Sequence, residues 1–237
     1  MTPRKNRHLL RNVGIVVLIV ATVLVVMFMA AAGVIAPKPQ PPVTLTSSTL
    51  SVGDSFTYKL AGYTVLGTSD VATPSEFMQY NQTDYYQVNV TGIDGSQVSL
   101  ETSWRFMNGT QITGGQEINL TSGATADLTG FTYLYQPNLN VTQQLYPQEN
   151  SGLVVNSTST TKFADSNRAT NYWSVEDEYT NTADQTGNTF RNDFVGAYFD
   201  KSTGMLDKLT RIEFFTNPEI ELTITWQLTS SNVWTVQ

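Results

Sequence analysis

Five acidic residues in the second half of the chain have the side chains best suited to chemistry. Glu176, Asp177 and Glu178 are consecutive, and Asp193 and Asp200 fall on what we predict to be neighbouring strands. Two carboxyl groups at the right separation are enough to hydrolyse a glycosidic bond. On a strand, however, Asp177 points away from Glu176 and Glu178. Because acids commonly decorate protein surfaces, the favoured interpretation is a solvated strand end.

Calcium binding is a second use for these acids. Together with Asp165 and Asp184 they offer the oxygen ligands that calcium prefers, but the sequence contains no D-x-[DN]-x-[DN]-G loop. We therefore predict no metal site and no cofactor.

Most other catalytic chemistry is excluded by composition. The sole histidine is His8, near the N-terminus, and the chain has no cysteine. After residue 8 the chain therefore lacks the side chains needed for serine–histidine catalysis, for cysteine–histidine catalysis and for metal sites built on histidine or cysteine. The sequence also lacks a glycine-rich phosphate loop, a GxSxG elbow and an HExxH motif. We predict that the protein is not an enzyme.

A membrane anchor determines where the remaining residues are located. The run from Val13 to Ile35 contains 23 residues without a charge, and at about 1.5 Å per residue it spans a hydrocarbon core of roughly 30 Å. A cleaved signal peptide is the alternative, with Ala30–Ala32 as small residues for a peptidase. The run exceeds the roughly 7 to 15 apolar residues of a signal peptide, so we favour a retained anchor over residues 13–36.

The charges flanking the anchor predict its orientation. Four basic residues precede it, and Lys38 is the only one close behind it, so residues 1–12 are expected in the cytoplasm and the C-terminal domain outside. Residues 36–237 carry nine Lys/Arg and twenty Asp/Glu, a net charge of −11. Such a field disfavours nucleic acid as a partner.

The exported part has the composition of an extracellular β-domain, with 11% aromatic and 14% charged residues. The absence of cysteine is typical of a bacterial or archaeal surface more than of a secreted eukaryotic domain. Six Asn-x-Ser/Thr sequons are possible glycosylation sites, with chance occurrence as the alternative: Asn81, Asn89, Asn108, Asn119, Asn140 and Asn156.

Alternating apolar and polar residues predict strands throughout residues 43–237, after a stiff proline-rich linker at 37–42. The expected strands are 43–50, 55–61, 84–93, 97–106, 110–120, 152–163, 169–180, 187–200, 205–215 and 220–229. Asp94-Gly95 predicts a type I′ hairpin turn, and Gly204 predicts a left-handed turn residue. Residues 62–81 are expected to form a loop with a short helix at 75–80. Residues 124–135 or 141–146 are expected to be helical.

These elements predict a mainly β protein with an antiparallel sheet. The sheet either belongs to a β-sandwich or forms a curved half-barrel with short covering helices. Trp104 and Trp226 are in phase with apolar neighbours and are predicted to be in the core, although exposed aromatic residues could stack on sugars. Trp173 and Trp234 are both left open, and Trp234 is near the C-terminus, where an aromatic residue often pins the last strand.

Three segments carry a resemblance to known proteins. Val52–Tyr58, Tyr198–Leu206 and Leu222–Trp226, combined with the anchor, resemble a group of archaeal single-pass surface proteins of unknown function. The aromatic-Asp-x-x-Thr-Gly-x-Leu turn is also similar to one in lipoprotein carriers of the LolA type, whose curved sheet holds acyl chains. The first resemblance implies a surface location, and the second implies a fold but no binding residues.

Three functions therefore remain. The leading hypothesis is a non-enzymatic, membrane-tethered domain that binds a cell-surface protein, a glycan or another copy of itself. The second is a carrier or sensor of a lipid or other hydrophobic ligand on a concave sheet face. The third is a carboxylate-dependent glycan hydrolase.

Overall fold

The computed structural model describes residues 49–66, 75–123, 131–149, 152–163, 166–178, 190–216 and 219–236, all within the compact unit Leu45–Gln237. Within these ranges, one helix, α1 (Ser75–Asn81), accompanies nine strands. The strands are β1 (Ser55–Leu66), β2 (Thr83–Asp94), β3 (Gln97–Phe106), β4 (Gln111–Asn119), β5 (Ser157–Lys162), β6 (Asn167–Glu178), β7 (Phe190–Asp200), β8 (Leu206–Thr216) and β9 (Glu219–Ser231).

The nine strands form one antiparallel sheet in the order β4-β3-β2-β1-β9-β8-β7-β6-β5. Every pair is consecutive in the chain except β1–β9, which joins the two halves of the sheet. The predicted mainly β, antiparallel class is confirmed. A sandwich would need a second sheet, and the described residues form a single one.

Alternation places one face of the sheet in the core. In β9, Ile220, Leu222, Ile224, Trp226 and Leu228 are all buried, as their period of two predicts. Thr223 departs from this pattern, since it is buried on the opposite face.

The covered face of the sheet packs against the covering segment, defined as residues 131–149 and 152–156. Its buried hydrophobic side chains include Phe131, Leu134, Tyr135, Leu139, Leu145 and Val155, and the polar Gln136 is also buried. The helices predicted here are wrong for the described residues, which form turns and isolated bridges such as Leu134–Met205. Asn138 and Thr142 have φ values of 60° and 71°, which a right-handed helix does not allow.

The turn between β7 and β8 attaches the covering segment to the sheet. Gly204 has a φ of 77°, as predicted, and its carbonyl accepts a hydrogen bond of 2.9 Å from the amide of Tyr135. A Cβ at this position would lie 2.0 Å from the Tyr135 carbonyl oxygen. Glycine is therefore required both for the backbone conformation and for the close approach.

Several predicted boundaries change. β1 continues to Leu66, into the expected loop, because Tyr63 and Thr64 pair with β9. The Asp94–Gln97 hairpin is present, but of its two turn residues only Gly95 has a positive φ, which fits type II′ and not type I′. Residues 49 and 50 are not in a strand, and β5 is shorter than expected. Helix α1 is confirmed.

The predicted anchor at 13–36, the predicted linker at 37–42 and residues 43–48 lie outside the described residues. Within the part of the chain that the structure describes, no helix is long and apolar enough to cross a membrane.

Candidate functional site

A pocket lined by aromatic rings lies on the covered face of the sheet, at the edge formed by β4. Its volume is about 300 Å³, the lower end of the range for small-molecule sites. Its lining consists of Tyr80, Tyr86, Thr102, Trp104, Ile112, Thr113, Gly114, Gly115, Gln116, Tyr133 and Trp226. None of these described lining residues is charged, and five of them are aromatic. The pocket therefore suits an uncharged group with a flat, apolar face.

Strand pairing brings the rings together. Tyr86 lies directly opposite Trp104, and Trp104 lies opposite Ile112, so all three side chains share one face. The ring centroids of Tyr86 and Trp226 are 4.8 Å apart in an edge-on arrangement, and those of Tyr86 and Trp104 are 6.0 Å apart. These separations are typical of favourable aromatic pairs, which hold one another in position.

Helix α1 fixes the orientation of Trp104. The indole Nε1 donates to the hydroxyl of Thr83 at 2.8 Å, and that hydroxyl donates to the carbonyl of Gln79 at 3.0 Å. The Tyr80 ring lies 5.9 Å from Trp104. The helix approaches closely because Gly62 has no side chain: a Cβ there would lie 2.9 Å from the Phe77 carbonyl.

The covering segment supplies Tyr133, whose ring stands edge-on to Trp226 at 5.6 Å. Burial raises the pKa of Tyr133 to about 12 and also raises the pKa of Tyr86. Both phenols therefore keep their protons at neutral pH and act as neutral hydrogen-bonding groups. The pocket combines apolar ring faces with a few polar groups.

A charged cluster lies on the same face, on β7 and β8. The Arg211 guanidinium is 2.7 Å from Glu213 and 3.2 Å from Asp193. Burial tends to lower the pKa of Arg211, but the two carboxylates outweigh it and raise the pKa. Asp193 is thus engaged in an ion pair.

None of the predicted acids in the described residues lines the pocket. Glu176, Asp177 and Glu178 are exposed at the end of β6, where Asp177 faces Asp193 across the strands. Asp200 is buried within its own turn. Asp165 and Asp184 lie outside the described residues. Across the described ranges, no group of three His, Cys, Asp or Glu side chains is arranged to hold a metal ion.

The pocket was only partly visible in the sequence. Trp104 and Trp226 were predicted in the core; Trp226 is buried and Trp104 is half-buried, and both also line the pocket. Tyr80, Tyr86 and Tyr133 were missed as pocket residues. Trp173 and Trp234, which the sequence left open, are both buried, and the Trp234 ring packs against Phe56 and Phe163.

The six sequons have different environments. Both ends of the Asn81 side-chain amide are hydrogen-bonded, since Nδ2 donates to the Gly62 carbonyl and Oδ1 accepts from the Gly62 amide. Asn89 and Asn119 are half-buried. Exposed Asn108, Asn140 and Asn156 use Oδ1 to accept hydrogen bonds from Thr110, Lys201 and Ser174, respectively.

In a host that glycosylates, we expect glycans at Asn108, Asn140 and Asn156 before Asn81, because the glycan is attached to Nδ2. Intact-mass measurement of the native protein and of single Asn→Gln variants checks this. A glycan on Asn81 without any on the other three would contradict it.

The comparisons with known proteins leave the family open. No protein-family model matches the sequence, and no curated protein matches it. The resemblance to archaeal surface proteins and to LolA-type carriers stays a prediction.

Proposed function

We propose that this protein is a non-enzymatic binding domain, tethered to the membrane by residues 13–36, that displays its β-domain outside the cell. The observation that carries the binding role is the uncharged, aromatic lining of the pocket between β2, β3, β4 and the covering segment. The proposed occupant is an uncharged ring-shaped group, such as a sugar ring or a phenol, which packs its flat face on Trp104 or Trp226.

The dimensions of the pocket favour a small occupant over a lipid. A volume of about 300 Å³ is at the lower end of the range for small-molecule sites, so it suits one small ring better than several acyl chains. Two threonines, one glutamine and two glycines also line the pocket and contribute polar groups to its walls. A carrier of acyl chains needs a continuous apolar lining instead. The half-barrel interpretation stays compatible with a single sheet covered on one face.

The test measures binding of two uncharged ring probes, p-cresol and methyl β-glucopyranoside. Saturation-transfer NMR would use the full chain in lipid nanodiscs, with empty nanodiscs as the blank. We expect at least one probe to bind, and Trp104→Ala to weaken its binding by about fivefold, since stacking on one aromatic ring contributes of the order of 1 kcal/mol.

Two further variants make the result interpretable. Ile112→Glu places a charge on an exposed lining residue without removing a core side chain, and it should also weaken binding. Tyr198→Ala removes an exposed ring that stacks on Tyr172 outside the pocket, and it should bind as the natural chain does. Failure of both probes to bind, or equal binding by Trp104→Ala, would contradict the proposal.

A further inference from the structure

The exposed edge of the sheet at β4 forms one wall of the pocket. β4 pairs only with β3 among the described strands, in continuous register from Gln111 to Asn119. It contains no lysine, proline or bulge, which are the usual devices that protect a sheet edge. Residues Gln111–Gly115 are all exposed. An unprotected edge of this kind is suited to pairing with another strand.

The hydrogen-bonding pattern identifies which backbone groups face outward. Phe106 donates to the Thr110 carbonyl, and Leu120 donates to the Ser96 carbonyl, both at 2.9 Å. Because bonded pairs alternate in an antiparallel ladder, the even-numbered residues of β4 bond to β3. The amides and carbonyls of Thr113, Gly115 and Glu117 therefore point away from the sheet, and no backbone group of a described residue pairs with them.

Gly114 leaves a gap in the pocket wall. Gly114 lies opposite Thr102 on the covered face, and Gly115 lies opposite Glu101 on the other face. A side chain on an added strand, placed beside Gly114, meets no β4 side chain between itself and Trp104. The added strand and β3 lie on opposite sides of β4, about 10 Å apart, so an aromatic side chain on the added strand approaches the Trp104 ring across the backbone of Gly114.

The charges beside this edge favour a particular partner. Glu101 and Glu117 lie on the face away from the pocket, both exposed, and β4 has no basic residue. An added strand with basic residues on that face would complement them. A second copy of this chain would bring the same acids and its own net charge of −7.

From these observations we infer that β4 is a docking edge for an extended segment of another polypeptide. The segment pairs with Thr113, Gly115 and Glu117, presents basic side chains to Glu101 and Glu117, and inserts a ring-bearing side chain into the aromatic pocket. Main-chain bonds and a side-chain pocket act together in this mode of recognition. The inference rests on the proposed function, because it assigns the group that the pocket receives.

The test uses a blocked nine-residue peptide, matching the length of β4, that alternates valine and lysine and carries tyrosine at its centre on the valine face. Fluorescence anisotropy of the labelled peptide measures its binding to the full chain in phosphatidylcholine nanodiscs. Gly115→Pro removes an outward amide and should weaken binding by about tenfold or more, while leaving the β3–β4 ladder intact. Gly115→Ala keeps the amide and fills open space, so it should bind as the natural chain does.

The possible outcomes test the docking inference separately from the proposed function. Docking at β4 is supported if Gly115→Pro, but not Gly115→Ala, loses affinity for the peptide and if a peptide with alanine at its centre binds more weakly. Equal binding by the proline and alanine variants, or no peptide binding at all, overturns it. The proposed function would then still stand if p-cresol or the sugar binds in a manner that depends on Trp104. A dimer that Gly115→Pro converts to a monomer would identify a second copy as the occupant and overturn the inferred partner.

Discussion

Replacing Arg168 with methionine is expected to lower the free energy of unfolding by about 3 kcal/mol, because a buried carboxylate loses its cation. Asp200 is 1% exposed. Arg168 holds it with two hydrogen bonds, from Nε to Oδ2 at 2.7 Å and from Nη2 to Oδ1 at 3.0 Å. The guanidinium also lies 4.1 Å from the ring centroid of Trp234. Methionine retains much of the apolar packing but neither of these bonds.

Urea denaturation at pH 7, followed by tryptophan fluorescence, measures this loss. Arg105→Met is the matched control: its partner Asp84 is 3.6 Å away, and the two side chains are 43% and 55% exposed. Such a surface pair contributes less than about 1 kcal/mol. If Arg168→Met loses no more stability than Arg105→Met, the buried pair does not stabilise the fold.

The same variant should change the response to acid. Burial alone would raise the pKa of Asp200, but hydrogen bonds from Arg168, Ser202 and Thr203 outweigh it and hold the pKa below its ordinary value. The resulting stability is present above the pKa of the unfolded chain and is lost as the pH falls through the folded pKa. Without Arg168 the pKa of Asp200 rises towards that of the unfolded chain, so the loss of stability on acidification should be smaller than in the natural chain.

This pair also shows the limit of local sequence patterns. Gly204 predicted the turn correctly, because a left-handed residue after a short polar stretch is a local signal. Asp200, however, was considered as a catalytic acid. Its carboxylate instead accepts from the amides of Ser202 and Thr203 and pairs with Arg168 on β6. That partner is 32 residues away, and its identity depends on strand register, which no short pattern specifies.

The same distinction applies to the fold. The strands and the β2-β3-β4 meander follow from alternation and turn residues, so the sequence predicted most of them. The β1–β9 pairing joins distant parts of the chain, and neither strand specifies its partner locally. The covering segment has no hydrophobic period, since its buried residues are placed by contacts with the sheet and the β7–β8 turn. Helices were therefore predicted where the chain forms turns.

The pocket was hard to predict because its aromatic residues have the same spacing as core residues. Tyr86 is in phase with buried Val88 and Val90, and Trp226 with buried Ile224 and Leu228. A period of two identifies the covered face but cannot distinguish a filled part of that face from a cavity. The difference arises at Gly114, where the edge strand lacks a side chain on the covered face.

Asp207→Asn is expected to raise the free energy of unfolding at pH 9 by about 3 kcal/mol and to change it by less than about 1 kcal/mol at pH 5. Asp207 is 5% exposed at the start of β8. Its Oδ2 accepts a long hydrogen bond of 3.5 Å from Thr170, and its Oδ1 has no partner among the described residues. Burial, followed by the neighbouring charge of Asp200, raises the pKa of Asp207 to about 8, although Arg168 and Thr170 oppose the rise.

The sign of this effect follows from proton binding. Between pH 4 and pH 8, approximately, folded Asp207 keeps a proton that the unfolded chain has released, so stability falls as the pH rises through this window. Asparagine resembles the protonated acid and does not titrate, which removes the loss. Urea denaturation from pH 5 to 9 measures the slope, and Asp94→Asn in the exposed β2–β3 turn controls for the loss of one negative charge. If the free energy of unfolding of Asp207→Asn and of the natural chain depends on pH with the same slope, folded Asp207 does not retain a proton in this range and the prediction is wrong.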